Sequence, residues 1–259
     1  MVTGATDGIG RQTAFELAQN HAFHVLVHGR TQQKALDACQ ALKVSAVTPV
    51  WGDFSVLAEV RSLAEQIRAA APVLDVLVNN AGVFMKERTV TGDGFETTFQ
   101  VNHLAPFALT HHLLPALKAS SAARIVNVSS NTHQRGRVDL KDLNLEQRFD
   151  GYSAYSTSKL MNVYFTHELA RRLTGVVSCA LHPGVISTKL LQHGWGSSGA
   201  SLVAGAKTSV FCATSPSVQE SGTYYSDSKQ TPCAPHANDS KLEKALYLES
   251  CRLLAIAPL

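Results

Sequence analysis

Thr3-Gly4-Ala5-Thr6-Asp7-Gly8-Ile9-Gly10 is the stretch that decides how the rest of this chain is read. Met1-Val2 stand before it as the remnant of a strand, and a helical pattern follows from about Ile9. Glycines at that spot permit a tight turn and let backbone come close to a phosphate. The helix N-terminus behind them offers amide donors and a positive dipole end. The spacing is Gly-x-x-x-Gly-x-Gly rather than Gly-x-Gly-x-x-Gly, and three glycines so close together could also be a plain turn. Their place ahead of an amphipathic helix favours the phosphate reading.

Downstream, short apolar runs alternate with helical patterns as far as Leu181. The runs are Phe23–Val27, Ala46–Val50, Leu74–Val78, Arg124–Val128 and Val176–Leu181. They are almost continuously apolar, as strands covered on both faces must be. Between them, Val56, Leu57, Val60, Leu63, Ala64 and Ile67 recur at helical spacing, and Phe95 to Lys118 reads as a long helix kinked at Pro106. Alternation of this kind predicts an α/β fold, a doubly wound parallel sheet of Rossmann type with helices on both faces. No linker, repeat or composition shift divides residues 1–259, so a single domain is expected. Residues 189–259 would supply a substrate flap and C-terminal elements: a Gly/Ser-rich flap from Gln192 to Gly205, a late strand at Gly222–Tyr225 and a final helix near Lys241 to Leu254.

Composition removes other classes. The 259 residues are 45% apolar and 17% charged with a net charge of +3, and no charge block points to nucleic acid or a membrane surface. No secretory pattern opens the chain, and no apolar run is long enough to span a membrane. The five cysteines have no short Cys-x-x-Cys spacing, so free thiols in a reducing cytoplasm are expected and a metal site is not.

Further motifs follow in order: Asn79-Asn80-Ala81-Gly82 after the third run, Asn102 in the next helix, and Ser129-Ser130 after the fourth run. Then come Tyr155-Ser156-Thr157-Ser158-Lys159 and Pro183-Gly184-Val185-Ile186-Ser187-Thr188. With the glycine motif, this ordered set resembles the short-chain dehydrogenase/reductase family across essentially the whole chain. The stretch Asp150 to Arg172, with Gly205–Ser209, is most similar to its retinol-dehydrogenase-like and WW-domain-oxidoreductase-like branch, here without a WW domain. In one respect the chain departs from the family, whose first strand precedes the glycine motif by several residues. The expectation is therefore a truncated or unusually short first strand.

The resemblance implies a dinucleotide cofactor, with Gly4, Thr6, Asp7, Gly8, Ile9 and Gly10 at its phosphates. An NAD site places Asp or Glu near the end of the first run to accept the ribose hydroxyl. His28-Gly29-Arg30 has no acid there, and Arg30 offers a cationic fork suited to a 2′-phosphate, with Arg11 following the last glycine. NADP(H) is the expected cofactor; Arg30 as a solvated loop charge is the alternative, and His28 is expected to pack at the strand end. Asp53 resembles the family position that bonds adenine, and could equally cap the next helix. By the same resemblance Asn80, Ala81 and Gly82 line the adenosine side, with Asn79 holding the central strand. Pro183, Gly184, Val185 and Ile186 present backbone to the nicotinamide, with the Thr188 hydroxyl beside it.

Tyr155 and Lys159 stand one helical turn apart on one face. A phenol can shuttle the proton that accompanies hydride transfer if its anion is stabilised, and a neighbouring cation is expected to lower its pKa. The resemblance gives Lys159 a second role on the nicotinamide ribose. Ser130 would hold the substrate oxygen, with Ser129 as the alternative, and Asn102 would anchor a water relaying protons from Lys159, or simply close the helix kink. Asn131 to Gly151 is expected at the substrate mouth, and His133 and His193 could touch substrate.

These residues imply an NADP(H)-dependent oxidoreductase interconverting an alcohol with an aldehyde or ketone. Leu190, Leu191, Trp195 and Met85 suggest an apolar pocket. The rival reading is a dinucleotide-binding regulatory or interaction protein with vestigial chemistry, against which the intact Ser130, Tyr155 and Lys159 argue. Family members form homodimers or tetramers through the Tyr155 helix and the Phe95–Lys118 segment, or stay monomeric, and all three remain open.

Overall fold

Residues 1–19 and 23–259 are described by a computed structural model of the chain. Parallel pairing joins β1 (Val25–Gly29) to β2 (Val47–Trp51), and β3 (Val76–Asn79), β4 (Ala123–Val128), β5 (Val176–His182) and β6 (Thr223–Ser226) to one another in order. A short antiparallel β7 (Lys229–Gln230) closes the edge. Every residue of β1 and β3 is buried, as strands under helices on both faces require.

What joins the two groups of strands is the dipeptide ahead of the glycine motif. Val2 bridges Val27 on one side and Val78 on the other, both in parallel. The Val2 N–H donates to Leu26 (3.0 Å), the His28 N–H to Val2 (3.2 Å) and the Val78 N–H to Met1 (2.9 Å). Met1-Val2 thus occupy the central slot of the sheet. The strand order reverses across it, which opens a crevice at the carboxyl ends of the strands.

On one face lie α1 (Gly8–Gln19), α2 (Gln32–Leu42) and α8 (Leu202–Thr214); on the other lie α3 (Leu57–Ala70), α5 (Ala105–Lys118), α6 (Gly151–Arg172) and α9 (Ser240–Leu253). Each helix follows local rules. Asp150 caps α6 through Ser153 N (2.8 Å), while Arg171 and Arg172 sit in its last turn beside the negative dipole end.

Three expectations are corrected. The Phe95–Lys118 segment is not one kinked helix: a single turn α4 (Thr97–Phe99) leads through a π-helical stretch, Gln100–Leu104, into α5. Ala105 N–H reaches back to Gln100, and Pro106 has no N–H to offer the Asn102 carbonyl, so the ladder widens where the sequence suggested a kink. The Gly/Ser-rich flap contains the end of α7 (Lys189–Trp195) and is tied down by Ala200 N–H to Val185 (2.8 Å) and Ser187 N–H to Ala200 (2.9 Å). Of the stretch 131–151, only Asn131, Thr132, Gln134 and Arg135 reach the crevice, because Gly136 packs against the Ser156 carbonyl of α6 and turns the chain away.

Candidate active site

A cavity of about 970 Å³ opens at the carboxyl ends of the strands, and one continuous wall of it carries most of the residues singled out from the sequence. Gly4, Thr6, Asp7, Gly8, Ile9, Gly10, Arg30, Asp53, Asn80, Ala81 and Gly82 line one part of it and Ser130, Tyr155, Lys159, Pro183, Gly184, Val185, Ile186 and Thr188 another; the two meet where Gly8 faces Thr188 and Gly82 faces Lys159. Asn102 does not line the cavity and lies behind the wall.

The glycine turn is built for close backbone approach. Gly4 and Gly8 have φ of +61° and +56°, which side chains disfavour. A Cβ on Gly4 would lie 2.9 Å from Ala81 Cα, and one on Gly10 only 2.3 Å from both the Gly4 carbonyl and Asn80 Nδ2. Thr3, which sequence reading passed over, clamps the two motifs together: its Oγ1 accepts from Asn80 N (2.8 Å) and Ala81 N (2.9 Å). Asn79 Nδ2 bonds Asn127 Oδ1 (2.9 Å) and Thr110 Oγ1 (3.1 Å), stitching β3 to β4 and α5. Asp7 accepts from Gly8 N (2.8 Å) and pairs with Lys189 (2.6 Å) across the crevice. The Lys189 hydrogen bond holds its carboxyl below the ordinary range.

Arg30 is exposed on the rim of the cavity. Asp53 makes a turn of its own, Oδ1 accepting from Ser55 N (2.8 Å) and Ser55 Oγ (2.7 Å). It does not cap α3, whose first amide, Leu57 N, goes instead to Asp93 (2.8 Å).

Tyr155 and Lys159 are buried on one face of α6, with Lys159 Nζ 5.4 Å from the centre of the phenol ring. Nζ donates to the Val128 carbonyl at 3.0 Å. The acidification expected of Tyr155 is not what this geometry produces. Burial drives the phenol well above its ordinary pKa, and the hydrogen bond from Ser130 only partly offsets it. The same burial pulls Lys159 down to about 8.

The serine pair separates clearly. Ser129 is buried and spends its hydroxyl on the Lys159 carbonyl (2.7 Å), whereas Ser130 is half-buried and within reach of the Tyr155 phenol. Asn102 binds Val83 through both amide groups (Oδ1 from N, 2.8 Å; Nδ2 to O, 2.9 Å) and Ser158 Oγ (3.0 Å). Its side chain therefore braces the wall behind Gly82. The Val185 carbonyl is engaged by Ala200, and Thr188 caps α7 through Leu191 N (3.1 Å), so both also hold the flap in place. Neither His133 nor His193 lines the cavity. His133 instead bonds the Ser130 carbonyl (2.6 Å) and accepts from Ala234 N (3.0 Å).

Around Tyr155 stands an aromatic wall that no motif announced. Trp195 lies 5.5 Å from the Tyr155 ring and 4.9 Å from Phe84, and Tyr152 donates to the Gly194 carbonyl at 2.7 Å. Met85, Leu190 and Leu191 extend this apolar surface.

The sequence pattern described as short chain dehydrogenase matches residues 1–195. The chain belongs to the short-chain dehydrogenase family. It is 41% identical to human retinol dehydrogenase 12, over 99% of this chain and 86% of that one. Among solved structures, an uncharacterized Mycobacterium paratuberculosis protein superposes with a TM-score of 0.84 at 32% identity, covering 99% of this chain and 93% of that one. Two further structures share the fold alone. A Brucella melitensis 3-ketoacyl-(acyl-carrier-protein) reductase complexed with NADH has a TM-score of 0.68 at 22% identity, covering 86% of this chain and 93% of that one. An NADPH-bound carbonyl reductase from chicken fatty liver has a TM-score of 0.69 at 23%, covering 89% and 96%. As a short-chain dehydrogenase the chain is an oxidoreductase that binds a nicotinamide dinucleotide, and the glycine cradle, which any Cβ would fill, fits the phosphates of such a group. Among the described residues no helix is long and apolar enough to cross a membrane.

Proposed function

We propose that this chain is an NADP(H)-dependent oxidoreductase that interconverts an apolar alcohol with its aldehyde or ketone. The observation that carries the reading is that Ser130, Tyr155 and Lys159 line the same cavity as the glycine cradle. The choice of NADP(H) rests on Arg30 at the rim and on the absence of an acid after β1, where a 2′-phosphate would otherwise be repelled. The apolar substrate class rests on the Met85, Leu190, Leu191 and Trp195 surface and on the similarity to retinol dehydrogenase 12. The unpaired thiols support a reducing, cytoplasmic setting.

The dinucleotide, when bound, supplies or accepts the hydride. Everything else falls to the chain. Ser130 Oγ donates to the substrate oxygen and holds it beside the phenol. In the reducing direction Tyr155 gives its proton to that oxygen as the carbonyl carbon gains the hydride, and in oxidation it takes the proton back. A phenol raised by burial keeps its proton until a stronger base forms next to it, which suits it to donate to an alkoxide. Lys159 Nζ, 5.4 Å from the centre of the ring, supplies positive charge beside the phenolate that proton transfer leaves. Trp195, Phe84 and Tyr152 shield the phenol from water, and Asn102 braces the Val83 backbone behind it.

The test is steady-state reduction of a carbonyl panel with NADPH and NADH side by side, using the wild type and Tyr155→Phe. The expected result is a preference for NADPH and loss of at least about 100-fold in kcat for the variant, which keeps its nucleotide affinity. Unchanged turnover in Tyr155→Phe refutes the chemical assignment, and equal use of NADH refutes the role of Arg30.

A further inference from the structure

His28 is the penultimate residue of β1, with its imidazole on the cavity wall, and no chemical step uses it. The residue is 3% exposed and its ring is engaged on both nitrogens. Gly4 N lies 3.0 Å from Nδ1, and the Gly52 carbonyl lies 2.9 Å from Nε2. A backbone amide can only donate and a carbonyl can only accept, so Nδ1 must be bare and Nε2 must carry the hydrogen. Only the neutral ring satisfies both partners. Burial works in the same direction, pulling the imidazole down to about 4. Its face stacks on Phe54, with ring centres 4.9 Å apart at 27°.

The two partners belong to different parts of the crevice. Gly4 is the first glycine of the cradle, at φ +61°, and its carbonyl receives Asn80 Nδ2 at 3.3 Å. Gly52 leads into Asp53 and Ser55 at the opposite rim. Both segments are already attached to β1 through backbone, by Ala5 N–H to His28 (2.9 Å) and Gly52 N–H to Gly29 (3.1 Å). The fold does not need the imidazole to keep them attached. What the ring adds is a rigid spacer between them on the cavity side, two residues before Arg30.

We propose that His28 is a positioning residue for the adenosine-phosphate half of the nucleotide, setting the distance between the glycine turn and the Gly52–Ser55 loop and thereby the affinity for the dinucleotide. The inference rests on the reading that this part of the cavity holds the adenosine half. It predicts an effect on nucleotide binding that is separate from the chemistry at Tyr155.

The experiment compares wild type, His28→Phe, which keeps a ring against Phe54 without either hydrogen bond, and His28→Gln, which restores an acceptor and a donor. Binding of NADPH and of adenosine 2′,5′-bisphosphate is measured by calorimetry, with kcat and KM for NADPH alongside. The expected result is a rise of roughly 10- to 100-fold in both dissociation constants and in KM for His28→Phe, with kcat within about threefold of wild type and partial recovery in His28→Gln. Should His28→Phe fail to fold, His28→Ala, which leaves room for water, carries the same expectation. Wild-type affinity in the folded Phe or Ala variant overturns the proposal, as does a fall in kcat at unchanged affinity. If wild type itself binds neither nucleotide, the reading of the cavity fails, whatever the His28 variants do.

Discussion

Ser129→Ala and Ser130→Ala should have opposite consequences, although the two residues are adjacent. Ser129 is buried and gives its only hydroxyl hydrogen to the Lys159 carbonyl at 2.7 Å. Its loss removes one buried hydrogen bond and leaves a small void, about 1–1.5 kcal/mol. For a chain of this size that lowers Tm by roughly 2–5 °C. Lys159 stays on α6, so kcat should change by no more than about threefold. Besides its bond to the Tyr155 phenol, the Ser130 hydroxyl makes two long contacts, from Thr132 N at 3.2 Å and to Asn131 Oδ1 at 3.3 Å, so its truncation in this half-buried place should cost about 0.5–1 kcal/mol of stability. What it removes is a donor to the oxygen on which charge develops, a loss of about 2.7–4 kcal/mol at the transition state, or roughly 100- to 1,000-fold in kcat. Thermal melts and NADPH-dependent carbonyl reduction on both variants decide the matter. A large fall in kcat for Ser129→Ala with Ser130→Ala near wild type would place the substrate oxygen elsewhere and refute the site geometry.

Gly10→Ala should destabilise the protein by about 2–4 kcal/mol, since its Cβ would lie 2.3 Å from the Gly4 carbonyl and Asn80 Nδ2 and would break the bonds between Asn80 and the glycine turn. Urea unfolding measures it, and a neutral result would mean that the cradle is looser than described. His167 gives a pH signature. Burial opposes its charge, but hydrogen bonds to Cys233 and to the fully buried Glu243 (2.9 Å) outweigh burial and raise its pKa to about 9. A folded pKa above the unfolded value adds stability that is complete below about pH 6.5 and is lost as pH rises through about 9. Unfolding free energy should therefore fall by about 1–3 kcal/mol more between pH 6 and pH 10 in wild type than in His167→Gln. Equal slopes would remove the ion pair from the stability of the α6–α9 contact.

Much of this protein was legible in its sequence because the relevant signals are local. Continuous apolar runs marked strands covered on both faces, and β3, β4 and β5 lie within two residues of where those runs placed them. β1 begins later than its run because the ladder starts where Val25 N–H meets Ala46. Glycine spacing, Asn79–Gly82 and the Tyr155–Lys159 turn each report a backbone requirement or a shared helix face within a few residues. What these signals determined was the order of elements, the position of the crevice and the chemical types along its wall.

Only the tertiary structure decided which distant groups meet there. Met1-Val2 are too short to show any periodicity, and bonds to Leu26 and from Val78 make them the central strand. Thr3 clamping Asn80 and Ala81, His28 joining Gly4 to Gly52, and Tyr152 holding Gly194 all link segments well separated along the chain. The pKa values follow the same rule: a cation one helical turn from Tyr155 suggested an acidic phenol, but desolvation by the whole fold raised it instead. A repeat in sequence records which face of an element leaves water. It carries no record of the partner atom on that face, because the partner is chosen by packing among elements whose spacing along the chain is arbitrary.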